Sequence, residues 1–153
     1  MIILVFMAVL MSCEKTEIYQ EIYPEPENTL FLYDLISKFR NEVDYRFLDN
    51  NYTQYNGMFY YSRTTGIRAS TYYGDLGLLN KVIYIINDSV DMNDVLAELN
   101  ENLTIENDTL WIESIAYPDI SSPYMHQDTN LWVLLPDTEI DSDKFVLTAY
   151  KKQ

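Results

Sequence analysis

Asp137, Glu139, Asp141 and Asp143 set four carboxylates at alternate positions, as a calcium-binding loop does with its first oxygen ligands. Such a loop also needs a glycine at its sixth place and a bidentate glutamate at its twelfth. Ser142 and Thr148 stand there instead. The four acids therefore read as a solvated turn between strands, with incidental calcium binding as the alternative. His126 invites a second test, with Asp119 or Asp128 to orient it and Ser121 or Ser122 as a nucleophile. No Gly-x-Ser-x-Gly elbow is present, and the chain has only four glycines, too few for the usual phosphate and nucleophile turns. His126 then reads as a surface residue of a loop containing Pro118 and Pro123. One histidine and one cysteine do not make a zinc site. Glycosidase-type carboxylate pairs are defined in space, and nothing in the order of residues singles one out. The expectation is a non-catalytic chain without a cofactor.

Aromatic residues offer a different chemistry. The chain carries fourteen tyrosines and two tryptophans. Tyr60-Tyr61 and Tyr72-Tyr73 fall on neighbouring expected strands, where consecutive side chains point to opposite faces. One of each pair can be exposed, which makes Tyr61 and Tyr72 a candidate aromatic platform flanked by Arg63 and Arg68. Tyrosine-rich surfaces serve protein recognition and sugar stacking alike. The plainer alternative is ordinary strand composition.

The elements that must position these residues follow from periodicity. Phe31, Leu35, Phe39, Val43 and Phe47 recur every fourth residue, with Leu32 and Ile36 widening the stripe. This predicts one long amphipathic helix, capped by Asn28 or Thr29 and running to about Leu48. Asn56-Gly57 is a strong hairpin turn between strands at 52–55 and 58–63. Further turns at Thr65-Gly66 and at residues 74–77 lead into strands at 67–73 and 79–86. The apolar run 82–86 suggests a central strand covered on both faces. Asp91 caps a short second helix whose buried face is Met92, Val95, Leu96, Leu99 and Leu103. Strands at 109–116, 131–135 and 144–150 complete an α+β domain, with two helices on a mainly antiparallel sheet of about six or seven strands.

Charge is unevenly spread. The formal net charge is −14, yet residues 82–143 hold fourteen acids and no Lys or Arg. A nucleic-acid partner is disfavoured, because neutralising phosphates requires clustered bases. An acidic half attracts a basic protein partner or cations, or it keeps the chain soluble.

Residues 2–11 are apolar without interruption, followed by Ser12, Cys13 and the charged Glu14-Lys15. That run is too short to span a bilayer and has the length of a signal-peptide core. Leu10-Met11-Ser12-Cys13 resembles the lipobox of bacterial lipoproteins, including the small envelope lipoproteins of Bacteroidota. The resemblance implies loss of residues 1–12 as a signal peptide, acylation of Cys13 and a lipid anchor in the cell envelope, at the outer membrane. Residues 13–27 form the lipidated cysteine and an acidic tether with Pro24 and Pro26, reaching roughly 45–50 Å if extended. Residues 28–153 form a single domain. Two binding functions compete for it: the first expectation is a protein partner at the acidic half, and the alternative is a glycan at the Tyr-rich hairpin.

Overall fold

A computed structural model describes residues 29–118, 125–136 and 144–152, and of 116–118 and 125–127 the backbone alone. The order is α1 (Arg40–Asp49), β1 (Tyr52–Tyr55), β2 (Phe59–Ser62), β3 (Arg68–Tyr73), β4 (Leu79–Ile86), α2 (Met92–Asn102), β5 (Thr104–Asn107), β6 (Leu110–Pro118), β7 (Met125–Pro136) and β8 (Phe145–Lys151). Asn56 and Gly57 hold φ of 65° and 76°, the left-handed region those two residue types tolerate best. They turn β1 back onto β2, with Tyr55 opposite Phe59. β3 and β4 continue this meander. A second meander, β5 to β8, follows α2, and its last strand pairs with β4. One eight-stranded antiparallel sheet results, ordered β1-β2-β3-β4-β8-β7-β6-β5. The α+β class and the antiparallel sheet are as expected.

The long helix is not. Helix α1 starts only at Arg40, and residues 29–39 are irregular. Asp34 and Ser37 take φ of 52° and 71°, which a right-handed helix does not permit. The four-residue stripe is real, but it serves another purpose. Breaking the helix lets Phe31, Leu32, Leu35 and Ile36 all go under the surface, while Phe39 stays 56% exposed. Each such burial is worth roughly 1.5–3 kcal/mol.

A non-helical buried segment must find partners for its N–H groups, and here carboxylates from distant elements supply them. Glu98 on α2 accepts from Leu30 N at 2.6 Å, Phe31 N at 3.0 Å and the Tyr33 hydroxyl at 3.2 Å. Glu113 on β6 accepts from Asp34 N at 2.6 Å, Asn130 Nδ2 at 3.0 Å and Trp132 Nε1 at 3.2 Å. The Tyr84 hydroxyl lies 3.2 Å from both Leu32 N and Leu32 O. Bonds to ionised acceptors contribute about 1.5–3 kcal/mol each, which offsets the loss of the helical ladder. Burial nonetheless pushes the Glu98 carboxyl above its ordinary range, against the pull of its three donors.

All of this lies on one side of the sheet. Phe47 stacks on Tyr60 with ring centroids 4.1 Å apart, Phe31 meets Tyr84 edge-on at 5.2 Å, and Tyr33 lies 5.0 Å from Trp132. Val95 and Leu99 of α2 join the same core, with Asp91 capping at 2.9 Å as expected. Consequently β4 alternates. Val82, Tyr84 and Ile86 are buried, while Ile83 and Ile85 are only half covered. The strand is central in the sheet, but the described residues cover it on one face, not two.

The strand count also differs from six or seven. β5 is a fully exposed edge strand without alternating hydrophobicity. β7 runs to twelve residues, because its polar half, 125–130, pairs with β6 in unbroken register from Pro118↔Met125 onward. His126 therefore lies in a strand, its backbone opposite Tyr117, and not in the loop that the prolines suggested. Among the described residues, no helix is long and apolar enough to cross a membrane.

Burial pushes the phenols of Tyr33, Tyr52, Tyr60 and Tyr84 well above the ordinary value of 10.0. The unfolded chain gives up these protons near pH 10 while the folded chain keeps them, so alkali favours unfolding. Stability should fall above pH 10 by up to about 1.4 kcal/mol per pH unit for each tyrosine. A pH titration followed at once by tyrosinate absorbance and by circular dichroism checks this. The two transitions should coincide for the buried set, and ionisation of every tyrosine before any unfolding would contradict it.

Candidate functional site

The face of the sheet away from the helices is built by the same alternation that buries the other side. Its side chains form three rows across the strands. The first row is Thr53, Tyr61, Arg68, Ile85, Val146 and Leu135. The second is Tyr55, Phe59, Ser70, Ile83, Thr148, Val133 and Leu110. The third is Tyr72, Lys81, Tyr150, Leu131 and Ile112. No row contains an Asp or a Glu, although the chain has 24 of them.

Three of the four residues singled out from sequence come together here. Tyr61 pairs with Thr53 on one side and Arg68 on the other, and Arg63 Nε donates to Thr53 Oγ1 at 2.6 Å. With Tyr55, Phe59 and Ser70 they line an open groove of about 900 Å³. Tyr72 shares the face but lies in the third row, outside the groove. Its ring sits 4.6 Å from the Lys81 ammonium, a cation–π contact. The other tyrosine of each pair behaves differently. Tyr60 is buried under α1, its hydroxyl donating to Asp44, and Tyr73 follows a register shift and is partly covered.

Tyr55 and Phe59 were missed, though a signal for them existed. They flank Asn56-Gly57, and counting by twos outward from that turn puts Tyr55, Phe59 and Tyr61 on one face. Tyr55 is 76% exposed, the most accessible ring among the described tyrosines. Exposed aromatic and apolar residues gathered in this way are unusual on a monomer and mark interaction sites.

The electrostatics are equally one-sided. Lys38, Arg40 and Lys151 each reach a carboxylate, at 3.5, 3.9 and 2.8 Å. Arg63, Arg68 and Lys81 have no carboxylate partner among the described residues. Comparisons with protein-family models, with curated proteins and with solved structures find no match. The reading of this surface accordingly rests on its geometry.

The remaining candidates fall elsewhere. Cys13 and the calcium-loop acids Asp137, Glu139, Asp141 and Asp143 lie outside the described residues, as do the acidic tether and the side chain of His126. The described acids of residues 82–143 do not share one surface. Glu98 and Glu113 turn inward, Asp94 and Glu101 lie on exposed parts of α2, and Glu106 and Asp108 sit at the β5–β6 edge. Among the described residues, no cluster of three His, Cys, Asp or Glu side chains is arranged to hold a metal ion.

The two faces predict opposite responses to the same substitution. Tyr61→Ala should change stability by no more than about 0.5 kcal/mol, as exposed sites do. Tyr60→Ala, one residue away, should cost about 3–5 kcal/mol, as buried aromatics do. Urea unfolding measures both, and equal costs would refute the assignment of faces.

Proposed function

We propose that this protein is a non-catalytic, lipid-anchored lipoprotein of the cell envelope that binds a glycan on the open face of its sheet. The observation that carries the reading is the groove of Tyr55, Phe59, Tyr61, Arg63 and Arg68. Ring faces set in a pleated surface stack on the C–H faces of pyranose rings, and hydroxyls of Thr53 and Ser70 are within the same groove. The backbone of β2 and β3 beneath is paired on both sides in the ladder, so recognition over those two strands falls to side chains. A basic protein partner at the acidic half receives less support, because two of those acids are internal struts and others are scattered over separate elements. The lipobox-like start at Cys13 supports anchoring, with residues 14–27 holding the domain clear of the membrane, at the outer membrane or the cell surface.

The test uses protein purified from the envelope. Its intact mass should correspond to a chain starting at Cys13 with acyl chains attached, and Cys13→Ala should abolish acylation. The same preparation, passed over an array of neutral and acidic oligosaccharides, should be retained by a subset of them. Tyr61→Ala should reduce that retention at least tenfold. Retention by no oligosaccharide would overturn the binding reading, and an unacylated full-length chain would overturn the anchor.

A further inference from the structure

The distribution of charge on the open face narrows the class of ligand. Resting on the glycan reading, we propose that the ligand is an acidic glycan whose ring carboxylate is taken by Arg68 and Arg63 while the sugar ring stacks on Tyr61. In a chain with 24 acids and 10 bases, unpaired cations demand a reason. Arg68 is exposed and has neither a hydrogen bond nor an ion pair among the described residues. It stands directly across the strand pair from Tyr61, so the ring and the guanidinium are nearest neighbours on one face. Arg63 is steadied by its Nε bond to Thr53, and its two terminal amino groups have no partner among the described residues. A guanidinium binds a carboxylate through two parallel N–H bonds in a fixed plane, which a lysine cannot do.

The missing acids matter as much as the arginines. Each of the three rows is free of Asp and Glu, so an incoming carboxylate meets no like charge on the strands it lies over. Among the described residues no carboxylate pairs with Arg63 or Arg68, so the described lining of the groove is positive on a protein of strongly negative net charge. A neutral sugar would leave both guanidinium groups as they are and make no use of them. A uronic acid presents, in one ring, an apolar face for Tyr61, hydroxyls for Thr53 and Ser70, and a carboxylate for Arg68. An acidic peptide would satisfy the arginines but present no ring to the exposed aromatic residues.

The experiment measures calorimetric affinity of the whole mature chain for uronate tetramers based on galacturonate, glucuronate and mannuronate. Each is run beside the same oligomer with its carboxyls reduced to hydroxymethyl groups, and hexaglutamate is the third probe. At least one uronate should bind, its reduced form should bind at least tenfold more weakly, and Arg68→Gln should remove that preference while leaving affinity for the reduced form unchanged. Tyr61→Ala should weaken both forms. If reduced and acidic forms bind equally, the acidic assignment falls while glycan binding stands. If no oligomer of either form binds, both fall. If hexaglutamate binds as tightly as the best uronate, the ligand is an acidic peptide and the glycan assignment is overturned.

Discussion

Glu98 and Glu113 are buried or half-buried carboxylates with no Lys or Arg partner among the described residues, and the structure depends on them. Removing a charge from water without a counter-charge is expensive unless hydrogen bonds replace the hydration shell. Here each carboxylate receives three donors, three of the six being main-chain N–H groups of residues 29–39. The acids and the irregular segment thus satisfy each other. Without the segment, Glu113 would lose its shortest bond. Without the acids, the segment would have three buried or half-buried N–H groups unpaired and every reason to revert to a helix.

From this arrangement the division of the molecule follows. The segment 29–39 lies between α1 and α2 and brings Phe31 and Tyr33 against Tyr84 and Trp132 in the middle of the sheet. One layer therefore covers one face. No described element remains to cover the other, where Tyr55, Phe59, Tyr61, Tyr72, Arg63 and Arg68 are exposed. Acids are found inside the covered face, on α2 and at the edges, but not on the open rows. Segregation of this kind is what allows a protein of net charge −14 to keep a surface suited to an anion.

The legible parts of the fold were those with local causes. Asn56-Gly57 set a hairpin because few residue types accept two successive positive φ values. Asp91 capped α2 because its side chain reaches a free N–H two residues on. The sheet class and the opposite facing of Tyr60 and Tyr61 followed from alternation alone. What escaped had distant causes. The stripe Phe31–Leu35–Phe39 has helical period, yet the acceptors that break the helix lie 67 and 79 residues away. Glu98 and Glu113 looked like two more charges of an acidic half because nothing near them in the chain marks them as internal. β5 and the polar half of β7 are strands by pairing with β6, not by pattern. At the site, Tyr61, Arg63 and Arg68 were legible, whereas the position of Tyr72 outside the groove required the actual strand register.

Native-state amide hydrogen exchange at Leu30, Phe31 and Asp34 reports whether the two carboxylates hold the irregular segment. These residues belong to no helix or strand, and unsupported irregular backbone of this kind exchanges almost freely. If Glu98 and Glu113 hold the segment, the three amides should be protected by at least a hundredfold, and Glu98→Ala should release Leu30 and Phe31 while the β4 and β8 amides stay slow. Exchange of Leu30, Phe31 and Asp34 at the rate of an open loop would show that Glu98 and Glu113 do not hold the segment in place.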